Sequence, residues 1–127
     1  MAEFQRSWLL AQLGHTDHVV VCDSGLPIPH GCGGPRVVDL SLVAGQPPFA
    51  AVLGAVLDEL TIEGAVAACE VRDENLRIAE FLNRRFDGLE LVPHEELKER
   101  VQDARLVVRT GEATPYANVI LRCGVPF

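Results

Sequence analysis

The chain has 127 residues, 48% of them hydrophobic and 23% charged, and a formal net charge of −7. That length reads as one domain, residues 1–127, large enough for a substantial core. The acidic balance argues against nucleic acid, whose phosphates call for clustered Lys and Arg, and the longest apolar stretch, PPFAAVLGAVL at 47–57, falls well short of the roughly 20 residues that cross a membrane as a helix.

The amino-terminal segment FQRSWLLAQL, 4–13, has helical spacing, with Gly14 as its stop. HVVVCD (18–23) is a β-branched run and reads as a strand. SGLPIPHGCGGP (24–35) is loop by its prolines and glycines. RVVDLSLV (36–43) reads as a second strand, broken by GQPP, and 49–60 is helical by period. EGAVAACEV (63–71) is a continuous apolar run, expected for a central strand covered on both faces. DENLRIAEFLNRRF (73–86) is amphipathic, with Ile78, Ala79, Leu82 and Phe86 on one side and Asp73 as its N-cap. LELV (89–92) is a short strand, and HEELKERVQDA (94–104) is a helix with acids first and bases later, as the helix dipole prefers. RLVVRT (105–110) and NVILRCGV (118–125) are two closing strands. Alternating strands and helices predict a layered α/β fold. The last connection is too short for a helical crossover, so the sheet is expected to be mixed.

The cysteines at 22, 32, 69 and 123 form no CxxC pair. Cys22, Cys69 and Cys123 lie in apolar contexts, where a free thiol packs as a small hydrophobe. A reducing, cytoplasmic setting fits, as does the absence of a secretory leader pattern in MAEFQRSWLLAQLGHTD. His30 and Cys32 match no zinc spacing, and no second pair completes a shell. There is no GxGxxG or Walker sequence, and GCGGP (31–35) does not run into a helix. No metal or other cofactor is expected.

Individually, the polar residues that frame the first strand have plain explanations. Thr16 or Asp17 can form a turn before it, Asp23-Ser24-Gly25 can form one after it, and His15 can pair with the end of the first helix. His94 opens a helix, where a cation opposes the dipole. Their combination points further. Asp23 sits where a strand hands over to a loop, and in open α/β sheets ligands bind outside the carboxyl ends of the strands. A second polar loop, RTGEATPYAN (109–118), also follows a strand and carries Tyr116 and Asn118, a phenol and an amide suited to a hydroxyl-rich ligand. No nucleophilic triad can be assigned from residue order. The available chemistry is proton transfer, for which a histidine titrating near ~6.5 is suited.

The strings LGHTD, CDSGLPIP, RVVDLSL and RTGEATPYANVIL, in that order, resemble the D-ribose pyranase family, part of a wider group that includes fucose mutarotases. The resemblance runs from about Leu13 to Phe127 and is most specific at its two ends; residues 44–92 match mainly in pattern. It implies a three-layer α/β/α sandwich with a mixed, mostly parallel sheet, and a cofactor-free isomerase that interconverts the pyranose and furanose forms of D-ribose. It also implies a homopentamer or homodecamer with sites near subunit interfaces. Carried over by motif, His15 of GHTD would be the catalytic acid/base, Asp23 of DSGLP would bind sugar hydroxyls, and His94 of PHEELK would contact substrate. Tyr116, Ala117 and Asn118 of PYAN would line the pocket. Two rivals stand beside this reading: a mutarotase acting on fucose, and a non-catalytic sugar-binding subunit that would keep Asp23, Tyr116 and Asn118 without needing His15. HTD and GLPIP favour the ribose branch.

Overall fold

The computed structural model describes residues 13–14, 17–28 and 34–124. The expected first helix, 4–13, and the glycine-rich turn around His30 and Cys32 lie outside the described residues, apart from Leu13. Among those described, the strands are β1 (His18–Cys22), β2 (Arg36–Asp39), β3 (Ile62–Ala68), β4 (Glu90–Val92), β5 (Leu106–Arg109) and β6 (Val119–Cys123). The helices are α1 (Phe49–Glu59), α2 (Val71–Glu74), α3 (Leu76–Arg85) and α4 (His94–Val101).

One sheet holds all six strands in the order β2-β5-β1-β6-β3-β4. The pairs β2–β5, β5–β1 and β3–β4 are parallel, whereas β6 runs antiparallel to both β1 and β3. Five strands therefore point one way and β6 alone runs against them. The sheet is mixed and mostly parallel, as expected. The short connection between β5 and β6 does not join neighbours. It passes over the carboxyl end of β1, which lies between them, and this detour builds the site described below.

Alternation along the buried strands sorts side chains into two cores, because successive residues of a strand face opposite sides. Val19 and Val21 of β1, Leu106 and Val108 of β5, and Val119 and Leu121 of β6 pack with Phe49, Leu53 and Val56 of α1 and Ile78 and Leu82 of α3. Val20, Cys22, Val107, Ile120 and Val92 face the other way, onto Leu97 and Val101 of α4 and onto Leu26 and Ile28 of the loop after β1. Helices thus cover both faces, which accounts for the unbroken apolar runs in β1 and β3. Cys22 and Cys123 are buried in these cores as expected; Cys69 is only half-buried.

Two local readings are corrected. The second strand stops at Asp39 rather than running to 43, because the Asp39 carboxylate accepts both the Ser41 N–H and the Ser41 hydroxyl, an Asx turn that leads the chain out of the sheet. The helix read as 73–86 is two helices broken at Asn75 (φ −152°), and Asp73 lies inside the first of them rather than capping the second. The break has a tertiary cause. The buried Asn75 amide turns away to donate to Thr114 Oγ1 (2.9 Å) and to the Pro115 carbonyl (2.8 Å). The expected apolar stripe survives: Ile78, Ala79 and Leu82 are buried, while Leu76 is exposed.

The turn after β5 is pinned by close backbone apposition. Gly111 N–H donates to the Pro47 carbonyl (2.8 Å), and Gly45 N–H donates to the Gly111 carbonyl (2.6 Å). A Cβ at Gly111 would overlap the carbonyl group and the nitrogen of Gln46. Because the obstacle is backbone, Gly111→Ala is expected to cost about 3 kcal/mol or more, at the upper end for an overpacked interior. The measurement is the urea midpoint, and an unchanged midpoint would contradict the apposition.

Candidate functional site

The parallel strands all end at one edge of the sheet, and the chain that follows them supplies the site. Asp23 follows β1, Glu70 follows β3, His94 follows β4 through Pro93, and Thr110 follows β5. Antiparallel β6 begins at the same edge, directly after Asn118. Residues 23–27, 112–116, His94 and Asn118 enclose a polar cavity of about 320 Å³. Two larger cavities, of about 380 and 440 Å³, lie along Glu63–Ala65 and Gly88. Ion pairs hold several of the charged groups there, Arg122 with Glu63 (3.0 Å) and Arg100 with Glu90 (3.2 Å). The smaller cavity is the candidate because unpartnered polar atoms are buried in its wall.

Those atoms are His94 Nδ1 and Asn118 Nδ2. A buried polar atom without a partner is costly, so a pair of them at one cavity marks a place for a hydrogen-bonding ligand. The Asn118 oxygen is occupied, accepting the Asp23 N–H at 2.9 Å across the end of the sheet. The Asp23 carboxylate in turn accepts the Gly25 N–H (3.1 Å), so the residue is at once turn former and cavity wall. Burial pushes the Asp23 carboxyl above the usual carboxylate value, against the pull of the N–H groups of Gly25, Leu26 and Ala117 and of the neighbouring Asn118 side-chain amide, which lies near the carboxylate without a well-formed hydrogen bond to it. The loop that carries Asp23 is braced from β5: Arg109 donates to the Ser24 carbonyl (2.7 Å) and the Leu26 carbonyl (3.2 Å).

His94 meets Tyr116 edge to face, with ring centroids 5.0 Å apart. Pro93 supplies no side-chain cap to α4; instead the Glu70 carboxylate accepts the His94 N–H through both oxygens (3.0 and 3.1 Å). Glu70 also accepts the Cys69 thiol at 3.2 Å. Tyr116 has φ 58°, the left-handed region, which costs a residue with a Cβ roughly 1–2 kcal/mol. Such strain persists only where the surroundings impose it, typically at functional sites.

Four residues before Tyr116 in the same loop lies Glu112, a buried carboxylate that the sequence did not single out. Glu112 is 5% exposed. Its Oε1 accepts the Phe49 N–H (3.0 Å), the donor left free at the start of α1. Its Oε2 accepts the Thr114 hydroxyl (2.7 Å) and lies 3.3 Å from the Arg77 guanidinium. Burial pushes the Glu112 carboxyl up, but Thr114, the Phe49 N–H and Arg77 outweigh it and hold the group below the usual value. The support it lends the fold is therefore present above the ordinary carboxylate range and fades as pH falls through the lowered value.

The structure thus brings together Asp23, His94, Tyr116 and Asn118 from three separate segments. Ala117 is fully buried with its side chain in the core, and it reaches the site through its N–H. His15 lies outside the described residues. Its described neighbours Gly14 and Asp17 bond to each other at the amino end of β1, Gly14 N–H donating to Asp17 Oδ2 (2.7 Å) and Asp17 N–H to the Gly14 carbonyl (3.2 Å). Asp17 is therefore the turn former of the plain reading.

The chain matches the RbsD / FucU transport protein family over residues 5–126. It is 61% identical over 118 residues to D-ribose pyranase 2 of Streptomyces griseus subsp. griseus, covering 93% of this chain and 89% of that one. The structure of Bacillus subtilis RbsD complexed with D-ribose superposes with a TM-score of 0.92 at 41% identity, covering 100% of this chain and 96% of the other. The fucose mutarotase of Streptococcus pneumoniae in complex with L-fucose shares the fold alone, with a TM-score of 0.76 at 20% identity over 94% of this chain and 91% of that one. Motifs at both ends of the chain, the mixed sheet and the match across nearly its whole length agree: this protein belongs to the RbsD / FucU transport protein family.

Proposed function

We infer that this protein is an isomerase that interconverts the pyranose and furanose forms of D-ribose, the activity of a D-ribose pyranase. The observation that carries the reading is the pair of unpartnered buried nitrogens, His94 Nδ1 and Asn118 Nδ2, in a polar cavity beside Asp23. They offer a hydroxyl-rich ligand the partners it would lose on leaving water. Identity of 61% to a D-ribose pyranase and 41% to a protein seen with D-ribose favours ribose over fucose, for which the similarity extends only to the fold.

The reaction opens a hemiacetal and closes another. A base removes the anomeric hydroxyl proton while an acid protonates the ring oxygen. The free aldehyde rotates, and the C4 hydroxyl attacks in place of the C5 hydroxyl. Protons move and no redox change occurs. In this scheme His15 transfers the proton, Asp23 accepts hydroxyl hydrogen bonds that its charge strengthens, and His94, Tyr116 and Asn118 fix the sugar. The Ala117 N–H steadies the Asp23 carboxylate. Holding the open chain coiled adds a proximity contribution.

The pocket is completed between copies of the chain, in a ring of five or a stacked pair of such rings. Gly14 and Asp17 lie at one end of β1 and Asp23 at the other, so that Asp17 and Asp23 are six residue steps apart, about 20 Å at ~3.3 Å each. A strand's length thus separates Gly14 and Asp17 from their own chain's cavity, and in this reading the proton-transferring residue comes from a neighbouring copy. Among the described residues no helix is long and apolar enough to cross a membrane. Free thiols at Cys22, Cys69 and Cys123 favour the reducing cytoplasm.

The test is magnetisation-exchange NMR on D-ribose with and without the protein. Protein-dependent exchange between pyranose and furanose signals is the expected result. Exchange only between fucose anomers would move the assignment to the mutarotase branch, and no exchange with any aldose would leave a sugar binder.

A further inference from the structure

We propose that Glu112 is a positioning residue for the sugar pocket: through the Thr114 hydroxyl its buried carboxylate holds Tyr116 and Asn118 in the orientation the substrate meets. The inference rests on the functional reading above. It assigns no contact with substrate to Glu112 itself, whose two oxygens are already taken by Phe49 N–H, Thr114 and Arg77.

The network has a fixed polarity. Asn75 Nδ2 donates to Thr114 Oγ1, and the Thr114 hydroxyl donates to Glu112 Oε2. Asn75 also grips the next carbonyl, Pro115 (2.8 Å). The residue after that is Tyr116, held in the left-handed region. On its other side Glu112 uses its main chain: its carbonyl accepts the Ser24 N–H (3.0 Å), and its own N–H donates to Thr110 Oγ1 (3.1 Å), whose hydroxyl donates to the Cys22 carbonyl (2.8 Å). One residue therefore ties the loop after β5 to the loop after β1 and to the start of α1. These are the segments that carry Asp23, Tyr116 and Asn118. A purely structural anchor could use a hydrophobic side chain. A buried charge with a directional chain of partners ending beside a strained aromatic suits a pocket whose polar groups must be preorganised.

The test uses the full chain. Thr114→Val removes the hydroxyl that links Glu112 to Asn75, and Thr114→Ser restores it; Glu112→Gln is a second variant that keeps an acceptor for Phe49 N–H. Because Tyr116 and Asn118 serve binding, Thr114→Val is expected to raise KM for D-ribose about tenfold with kcat changed less than about threefold, and Thr114→Ser to return KM to the wild-type value. The chain has one tyrosine, so selective labelling reports Tyr116 alone; its ring signals are expected to move in Thr114→Val and return in Thr114→Ser. Unchanged KM overturns the proposal, even if kcat or thermal stability falls, because that pattern is one of simple structural support. If Glu112→Gln does not fold, Thr114→Val decides. If the wild-type protein exchanges no ribose, the functional reading fails, and the Tyr116 signals still test the positioning: unmoved signals overturn it and moved signals support it.

Discussion

Exchange between the pyranose and furanose forms of D-ribose is expected to slow by about 10²- to 10⁴-fold when His15 is replaced by alanine, the range a positioned proton-transfer group supplies. The chemistry demands such a group. Ring opening needs a proton taken from one oxygen and given to another, and a histidine does both near neutral pH. Among the described residues the cavity holds one other histidine, His94, whose unpartnered Nδ1 is assigned to binding the sugar, so residual exchange in His15→Ala would point to it. Asp23 is a carboxylate already engaged by the Gly25 N–H, and the Glu112 oxygens are occupied by Phe49, Thr114 and Arg77. Binding of D-ribose, measured by saturation-transfer NMR, is expected to persist in His15→Ala, since Asp23, His94, Tyr116 and Asn118 remain. Wild-type exchange in His15→Ala would remove the acid/base role and return His15 to a partner of the preceding helix.

The second large effect is a recovery. Asp23→Asn removes the charge from a carboxylate proposed to hold sugar hydroxyls and is expected to lose about 10- to 100-fold in kcat/KM, the worth of a hydrogen bond to a charged group. If His15 and Asp23 of one pocket come from different copies, two weak variants can complement each other. Co-expressed in equal amounts and randomly assembled in a head-to-tail ring, His15→Ala and Asp23→Asn subunits leave roughly a quarter of the interfaces with both residues native. The mixed assembly is then expected to show roughly a quarter of wild-type kcat/KM, against about a tenth or less for Asp23→Asn alone and about a hundredth or less for His15→Ala alone. If both residues served the same pocket from one chain, every pocket would carry one defect and no recovery would occur. The measurement is the ribose exchange rate of the co-purified mixture against a mixture of separately assembled variants.

Much of the architecture was legible because it rests on local rules. β1, β3 and β5 announce themselves by apolar runs that only a strand covered on both faces tolerates, and both cores follow from alternation along them. The α3 stripe of Ile78, Ala79 and Leu82 is read directly from helical period. Boundaries failed where a distant residue intervened. Nothing near Asn75 in the chain demands a helix break; its partners are Thr114 and Pro115, some forty residues away. α1 and α4 start without a local side-chain cap because Glu112 and Glu70 supply the acceptors from elsewhere.

The site divides in the same way. Residue types, their position after strands and the motif strings were enough to single out Asp23, His94, Tyr116 and Asn118, four residues that the structure places around one cavity. Glu112 was hidden because a glutamate among loop residues looks solvated, and only burial distinguishes it. That Asp23 and Asn118, 95 residues apart, share a hydrogen bond depends on β1 lying between β5 and β6, a pairing order set by long-range packing rather than by any local pattern. Composition and periodicity determined the layers and the chemistry within reach; only the tertiary structure decided which polar groups meet, because contacts between distant segments form when the sheet closes and leave no local signal in the chain.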